Sequence, residues 1–258
     1  MQEADIARIR FGYGFGPGAE AVTLADMSRS LSQPDDEARR FPSLSFSEAL
    51  GLGRDFNAAR QAVREEQAGA QDLYDATRAA LRQEADRAIR HSFARIAHSR
   101  TPLRERLTWF WADHFTAIHR GSLIRAAPLS FLDETIRPHL TGRFGEMLKA
   151  VTKHPSMLLY LDQNRSVGPA SPAGQRHGRG LNENLARELL ELHTMGAGSG
   201  YSQADVRQAA ELLTGLSFRR QDGFVFRPNA AEPGPETILG QTYGSDGPAR
   251  LEDIDAFL

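Results

Sequence analysis

Apolar and polar positions show no sustained period over the first 53 residues. Glycines at 12, 14, 16 and 18 punctuate "RFGYGFGPG", and "LSQPDDEARRFPSLSF" carries prolines and a charge cluster, so 1–53 reads as an irregular N-terminal segment. Pro17 interrupts the spacing a dinucleotide loop needs and no strand pattern precedes it, which leaves a glycine-rich packing loop. From about Arg54 to Ser99 the chain turns helical: Ala, Arg, Gln and Glu dominate, and Ala70, Leu73, Tyr74, Thr77, Leu81, Ala88, Ile89, Phe93 and Ile96 trace a spacing of three and four. Gly69 predicts a break in that stretch.

"TPLRERLTWFWADHFTAIHR" has a helix start at Thr101-Pro102. Its stripe of Leu103, Leu107, Phe110, Trp111, Phe115 and Ile118 predicts an apolar buried face. Short helices are expected in "PLSFLDETIRP", ended by Pro138, and in "GRFGEMLKAVTKHP", ended before Pro155; "SMLLYLDQ" reads as a buried turn or short helix. Residues 162–181 form a Gly/Pro/Ser-rich stretch read as a long loop. Ser202 and Asp205 form a capping-box variant with Tyr201 and Val206 as its staple, Gly215 suits a helix end, and "LSFRRQDGFVFRP" reads as a β-hairpin around Asp222-Gly223. A last helix begins at Pro248. Its stripe of Leu251, Ile254, Phe257 and Leu258 ends with the chain, so residues 1–258 are expected to be the N-terminal part of a longer domain and the stripe to lack cover. The fold class is mainly α: one multi-helix domain with one small β-hairpin near the C-terminus.

The densest chemistry lies in "NENLARELLELHTMG", Asn182 to Gly196. At about 100° per residue, Glu183, Arg187 and Glu191 share one face as i,i+4 partners. His193 falls among the leucines, and His114 is likewise ringed by Phe110, Trp111, Ala117 and Ile118 at helical spacing. A buried imidazole needs hydrogen-bond partners. Both rings are therefore either satisfied core residues or acid/base groups. Neither has a second ligand three or four residues away, and no GxSxG elbow or P-loop occurs, so neither a metal nor a cofactor is expected. Arg176, His177 and Arg179 lie just upstream of the helix amides. An anion or acidic partner segment would there meet Arg176, Arg179, Asn182, Asn184 and Arg187; the alternative is a plain solvated loop.

Composition narrows the options. The 258 residues are 40% hydrophobic and 25% charged with net charge −2, an ordinary globular balance with no field favouring nucleic acid. Cysteine is absent, which removes disulfides and thiol catalysis. No apolar run approaches the roughly 18 residues of a membrane span, and the start lacks the apolar core of a signal peptide. The compartment is left open. Arginine outnumbers lysine by 29 to two and is spread along the chain, which suggests genome composition and solvated side chains rather than a phosphate site.

"PLRERLTWFWADHFT", "RPHLTGRFGEMLKAVTKHPSMLLYLDQNRS" and "GLNENLARELLELHTMGAGSGYSQADVRQAAELLTG" occur in the order seen in the bacterial domain-of-unknown-function 1800 family, and the chain resembles that family over roughly Thr101 to Gly240. Members are similar in an FWxxHF core, an IRPH segment, an HPxML-YLD segment and the NENxARELLELHTxG helix. Many carry Asn where this chain has Asp113, and a His-Asp pair with a lysine where it reads "NAAEPGPETILG". The resemblance implies no activity. It does imply further helices after this C-terminus and a partner, since members are often encoded beside an exported sulfatase-like protein.

Two function classes follow as expectations. The preferred one is a helical binding or assembly module acting with that partner through the arginine-bearing loop and the Arg187 face. The alternative is an enzyme, a hydrolase, with a site between the helices carrying His114 and His193. In it His114 or His193 serves as acid/base, Glu188 as a second polar group, and Asn182 and Asn184 as orienting amides.

Overall fold

A computed structural model describes residues 2–15, 22–117, 129–177, 180–219 and 223–258. The chain is mainly α-helical with two small antiparallel sheets near the C-terminus. It clusters into two compact units. The first takes in Met1–Thr116 and Arg120–Arg143, the second Ala117–His119 and Phe144–Leu258.

The first unit holds α1 (Glu3–Phe11), α2 (Leu24–Leu31), α3 (Asp36–Arg40), α4 (Phe46–Arg64), α5 (Ala70–Ala97) and α6 (Pro102–His114), then a π-helical turn at Leu132–Ile136 running into a 3-10 turn at Arg137–His139. The stretch read as irregular, 1–53, is thus largely helical. Local caps explain it. Thr23 and Asp26 form a reciprocal capping box at α2, Ser45 and Glu48 another at α4, and Asp35 accepts the Ala38 amide to start α3. Each such cap stabilises its helix by about 1 kcal/mol. The break between α4 and α5 falls at Gly69 as expected, with φ +75°.

The face predicted for α6 holds in part: Phe115, which caps the helix, is fully buried and Leu103, Leu107 and Trp111 are half-buried, but within the helix the deepest residues are polar. Its buried residues are Arg104, Glu105 and Thr108, while Phe110 is 60% exposed. Ile118 lies outside the described residues. The reason is an ion network that α6 must reach. Glu105 is fully buried and takes a forked pair from Arg137, Nη1 to Oε1 at 2.9 Å and Nη2 to Oε2 at 2.5 Å. Arg137 Nη1 also donates to Asp35 at 2.9 Å, and its Nε lies 3.2 Å from Asp133. Arg95, 1% exposed, forks onto both Asp133 oxygens at 2.6 and 2.8 Å and donates to the Phe41 carbonyl. Desolvation opposes the charge on Arg137, yet its three carboxylates hold the group above the ordinary arginine value. Several of the arginines read as solvated are therefore the polar core of this unit.

The second unit holds α7 (Phe144–Lys153), α8 (Pro155–Tyr160), α9 (Pro172–His177), α10 (Asn184–Glu188), a π-helical segment Leu189–Thr194, α11 (Gln203–Leu212) and α12 (Leu251–Phe257). β1 (Leu216–Arg219) pairs with β2 (Gly223–Phe226) as the expected hairpin, Leu216 opposite Phe226; residues 220–222 lie outside the described set. A second hairpin, β3 (Glu236–Ile238) with β4 (Gln241–Tyr243), was not expected. It turns through Leu239 and Gly240, both at positive φ, and is pinned to α11 by Asp205, which accepts the Leu239 amide at 2.6 Å, and by Gln208, which accepts the Thr237 amide at 3.0 Å. Asp205 also completes the expected capping box with Ser202.

The C-terminal stripe is partly covered: Leu251, Phe257 and Leu258 are half-buried. Ile254 is 1% exposed, Phe257 meets Tyr243 edge-on at 5.3 Å, and Asp255 pairs with Lys153. The stretch 162–181 is more structured than a loop. It contains a 3-10 turn at Gln163–Arg165 and α9, and buried Ser171 donates to the Gly168 carbonyl while accepting the Gly174 amide. Gly168 is required there, since a Cβ would stand 2.4 Å from a Glu232 carboxylate oxygen and 2.6 Å from the Glu232 amide nitrogen.

Candidate functional site

The expected site residues divide between the two units. His114, in the first, is half-buried at the end of α6, with Trp111 at 5.3 Å and Phe115 at 4.6 Å, both edge-on to its ring. His193, in the second, is 5% exposed. It shares its face with Leu185, Ala186, Leu189 and Leu190, all buried, while Leu192, only about 20° from Leu185 on an ideal wheel, is 59% exposed. The segment bearing His193 is π-helical, a feature the sequence period did not reveal. Short π segments are rare and frequently accompany functional sites. Glu188, half-buried, stands at the junction where α10 becomes π.

The polar face of this helix is internally satisfied. Arg187 Nη2 donates to Glu183 at 3.1 Å and to Gln203 at 3.1 Å, and Nη1 reaches Glu191 at 3.4 Å. These half-exposed pairs contribute a few tenths of a kcal/mol each. Asn182 serves as a local clamp. Its side chain donates to the Leu161 carbonyl at 3.0 Å and accepts the Asn184 amide at 2.9 Å, while its own amide donates to Ser166. The Asn184 and Arg176 side chains are exposed. Arg179 and the side chain of His177 lie outside the described residues.

Sequence reasoning missed two polar clusters. One is the arginine–carboxylate network of the first unit. The other gathers acids in the second unit around Glu236, which is 4% exposed. Burial, reinforced by the charges of Glu211, Glu232 and Asp253, pushes its carboxyl up to about 8. Glu232 is raised too, chiefly by burial, with the Ala170 amide opposing. Two of these acids lie in the segment that departs from the family pattern. No group of three or more His, Asp or Glu among the described residues is placed to hold a metal ion. No helix among the described residues is long and apolar enough to cross a membrane.

The first unit also carries an apolar outer face. Of the 28 residues of α5 only Ala70, Leu81, Ala88 and Arg95 are buried. Ile89 and Phe93, one turn apart, are 53% and 68% exposed, with Arg82 and Arg90 exposed beside them.

No curated protein and no solved structure matches the chain. The family model described as "Protein of unknown function (DUF1800)" matches residues 7–258, well beyond the motif-bearing stretch, and the chain belongs to that family.

Proposed function

We propose that this chain is a helical binding module that acts with a protein partner. The observation that supports the reading is the exposed Ile89–Phe93 pair on a helix that leaves most of its surface in water. Contiguous exposed apolar side chains rimmed by charge are a common mark of interaction surfaces. The flanking arginines suit a partner with an apolar pocket and an acidic rim. The partner we name is the sulfatase-like exported protein encoded beside members of this family. The test is titration of that purified protein into this chain, followed by calorimetry. Phe93→Ser, at an exposed position, is expected to weaken binding at least tenfold with the melting temperature unchanged. Absence of any complex with the wild-type chain overturns the choice of partner, and equal binding by Phe93→Ser overturns the choice of surface.

A second reading, a hydrolase using His193 as acid/base with Glu188, five residues earlier, as a second polar group, is favoured by the π-helical segment that carries the ring. It is tested by turnover of an ester panel alongside melts of wild type and His193→Gln. No turnover by the wild type, or equal turnover by both, sinks it.

A further inference from the structure

Beside the arginine–carboxylate network of the first unit lies an open cavity of about 570 Å³. That is within the range of small-molecule sites. Its walls come from the end of α2, from α3, from α6 and from the turn after the 132–136 π segment.

The three buried arginines of this unit are not equivalent. Arg95 and Arg137 each fork onto a carboxylate, and their charges are matched. Arg104, 6% exposed, forms no ion pair within 4 Å among the described residues; Asp35, also on the cavity wall, acts on it only through space, and Arg104 in turn helps hold that carboxyl low. All its hydrogen bonds run through Nη2 to main-chain carbonyls, 2.6 Å to Leu31 and 2.7 Å to Gln33, with Ser30 at 3.4 Å. Those carbonyls sit at the C-terminal end of α2, where helix carbonyls are partly negative. They hold the guanidinium in place. Its Nε is buried without a hydrogen-bond partner. Nη1 makes no hydrogen bond among the described residues, and Arg104 lines the cavity.

The remaining walls limit what fits. Asp133 has both oxygens committed, to Arg95 and Ser43. Asp35 stays charged: burial pushes its carboxyl up, but Arg137 and the Ala38 amide pull harder and hold it below the usual aspartate value. Three arginines in the walls, Arg39, Arg104 and Arg137, stand against two carboxylates, Asp35 and Asp133, an excess of one positive charge that suits a monoanion, and the second lone pairs of the Asp35 oxygens can accept from a ligand's hydroxyl or ammonium groups. Ser32, Gln33 and Thr141 add neutral hydrogen-bonding groups at the exposed rim.

We infer that this cavity binds a small monocarboxylate that also carries hydroxyl or ammonium groups, its carboxylate on Arg104 Nη1 and its donors toward Asp35. This site is separate from the α5 face and from His193, so its fate and that of the proposed function are read independently.

The test titrates gluconate, with inorganic phosphate as the dianion control, into isotopically labelled full-length chain and follows the amide signals of Ser32, Gln33 and Thr141. Gluconate is expected to shift them saturably, and phosphate at least tenfold more weakly. Arg104→Lys should weaken gluconate binding about tenfold. Because Arg104 also anchors α2, Ala38→Phe provides a second variant that fills the cavity without touching an ion pair, and it should abolish the response. No saturable shift in the wild type, unchanged affinity in both variants, or preference for phosphate each overturns the proposal.

Discussion

Glu236 carries its proton at neutral pH in the folded chain, and replacing it with glutamine tests why. Its carboxyl rises from the ordinary value of 4.5 to about 8, through burial first and then through Glu211, Glu232 and Asp253. Unfolded, the same group ionises near 4.5. Between those values the native state binds more protons than the unfolded state, so this group's contribution is fully present below pH 4.5, falls as pH rises, and is flat above about 8. At about 1.4 kcal/mol per pH unit, the full swing is about 5 kcal/mol. Neighbouring acids share the titration, since Glu232 is raised as well, so about 2 kcal/mol is the expected reading.

Glutamine mimics the protonated acid in shape and cannot ionise. Urea unfolding of wild type and Glu236→Gln at intervals from pH 4.5 to 9 should give matching stabilities at the acid end. The variant should then gain steadily and level off above pH 8. Other carboxyls titrate in both proteins and cancel in the difference. If the two curves stay parallel within about 0.5 kcal/mol, or the wild type is the more stable at pH 9, Glu236 is not held protonated and its environment has been misread.

Glu105→Gln strips one carboxylate from the Arg137 fork and should cost about 3–5 kcal/mol in chemical denaturation, because a buried charge loses its main partner. Gly168→Ala should cost about 1–3 kcal/mol, since the new Cβ overlaps the Glu232 backbone as well as its side chain. Gly240→Val, at φ +79° with open space around it, should cost about 1 kcal/mol from the backbone alone, read as a small fall in melting temperature.

Much of the fold was legible because it is local. The α6 start at Pro102, the break at Gly69, the Ser202–Asp205 box and the β1–β2 hairpin each follow from residues within a few positions of one another. The helices before residue 46 were legible in the same way, through Thr23–Asp26 and Ser45–Glu48, but glycines and prolines nearby masked them. The β3–β4 hairpin had its signal in "TILGQTY", a two-residue turn containing glycine between β-formers.

The polar clusters had no such signal. In the arginine network only Asp133–Arg137 is an i,i+4 pair. Arg137 meets Glu105 across 32 residues and Asp35 across 102, and Arg95 meets Asp133 across 38. A helical period records which side faces inward only when that side is apolar. On α6 the deepest residues are Arg104, Glu105 and Thr108, beside the half-buried Leu103, Leu107 and Trp111, so the period placed the helix and Phe115 correctly but missed the polar part of the inward side. The His193 helix shows the converse. Its inward side is leucine and the histidine was placed among those leucines from sequence alone, although Leu192, on the edge of that face, is exposed where the backbone widens to π. Partner geometry, not residue type, separates a structural arginine from an available one. Arg95, Arg104 and Arg137 are alike in residue type and in burial, and they differ in whether a carboxylate from a distant segment closes to an ion pair with them.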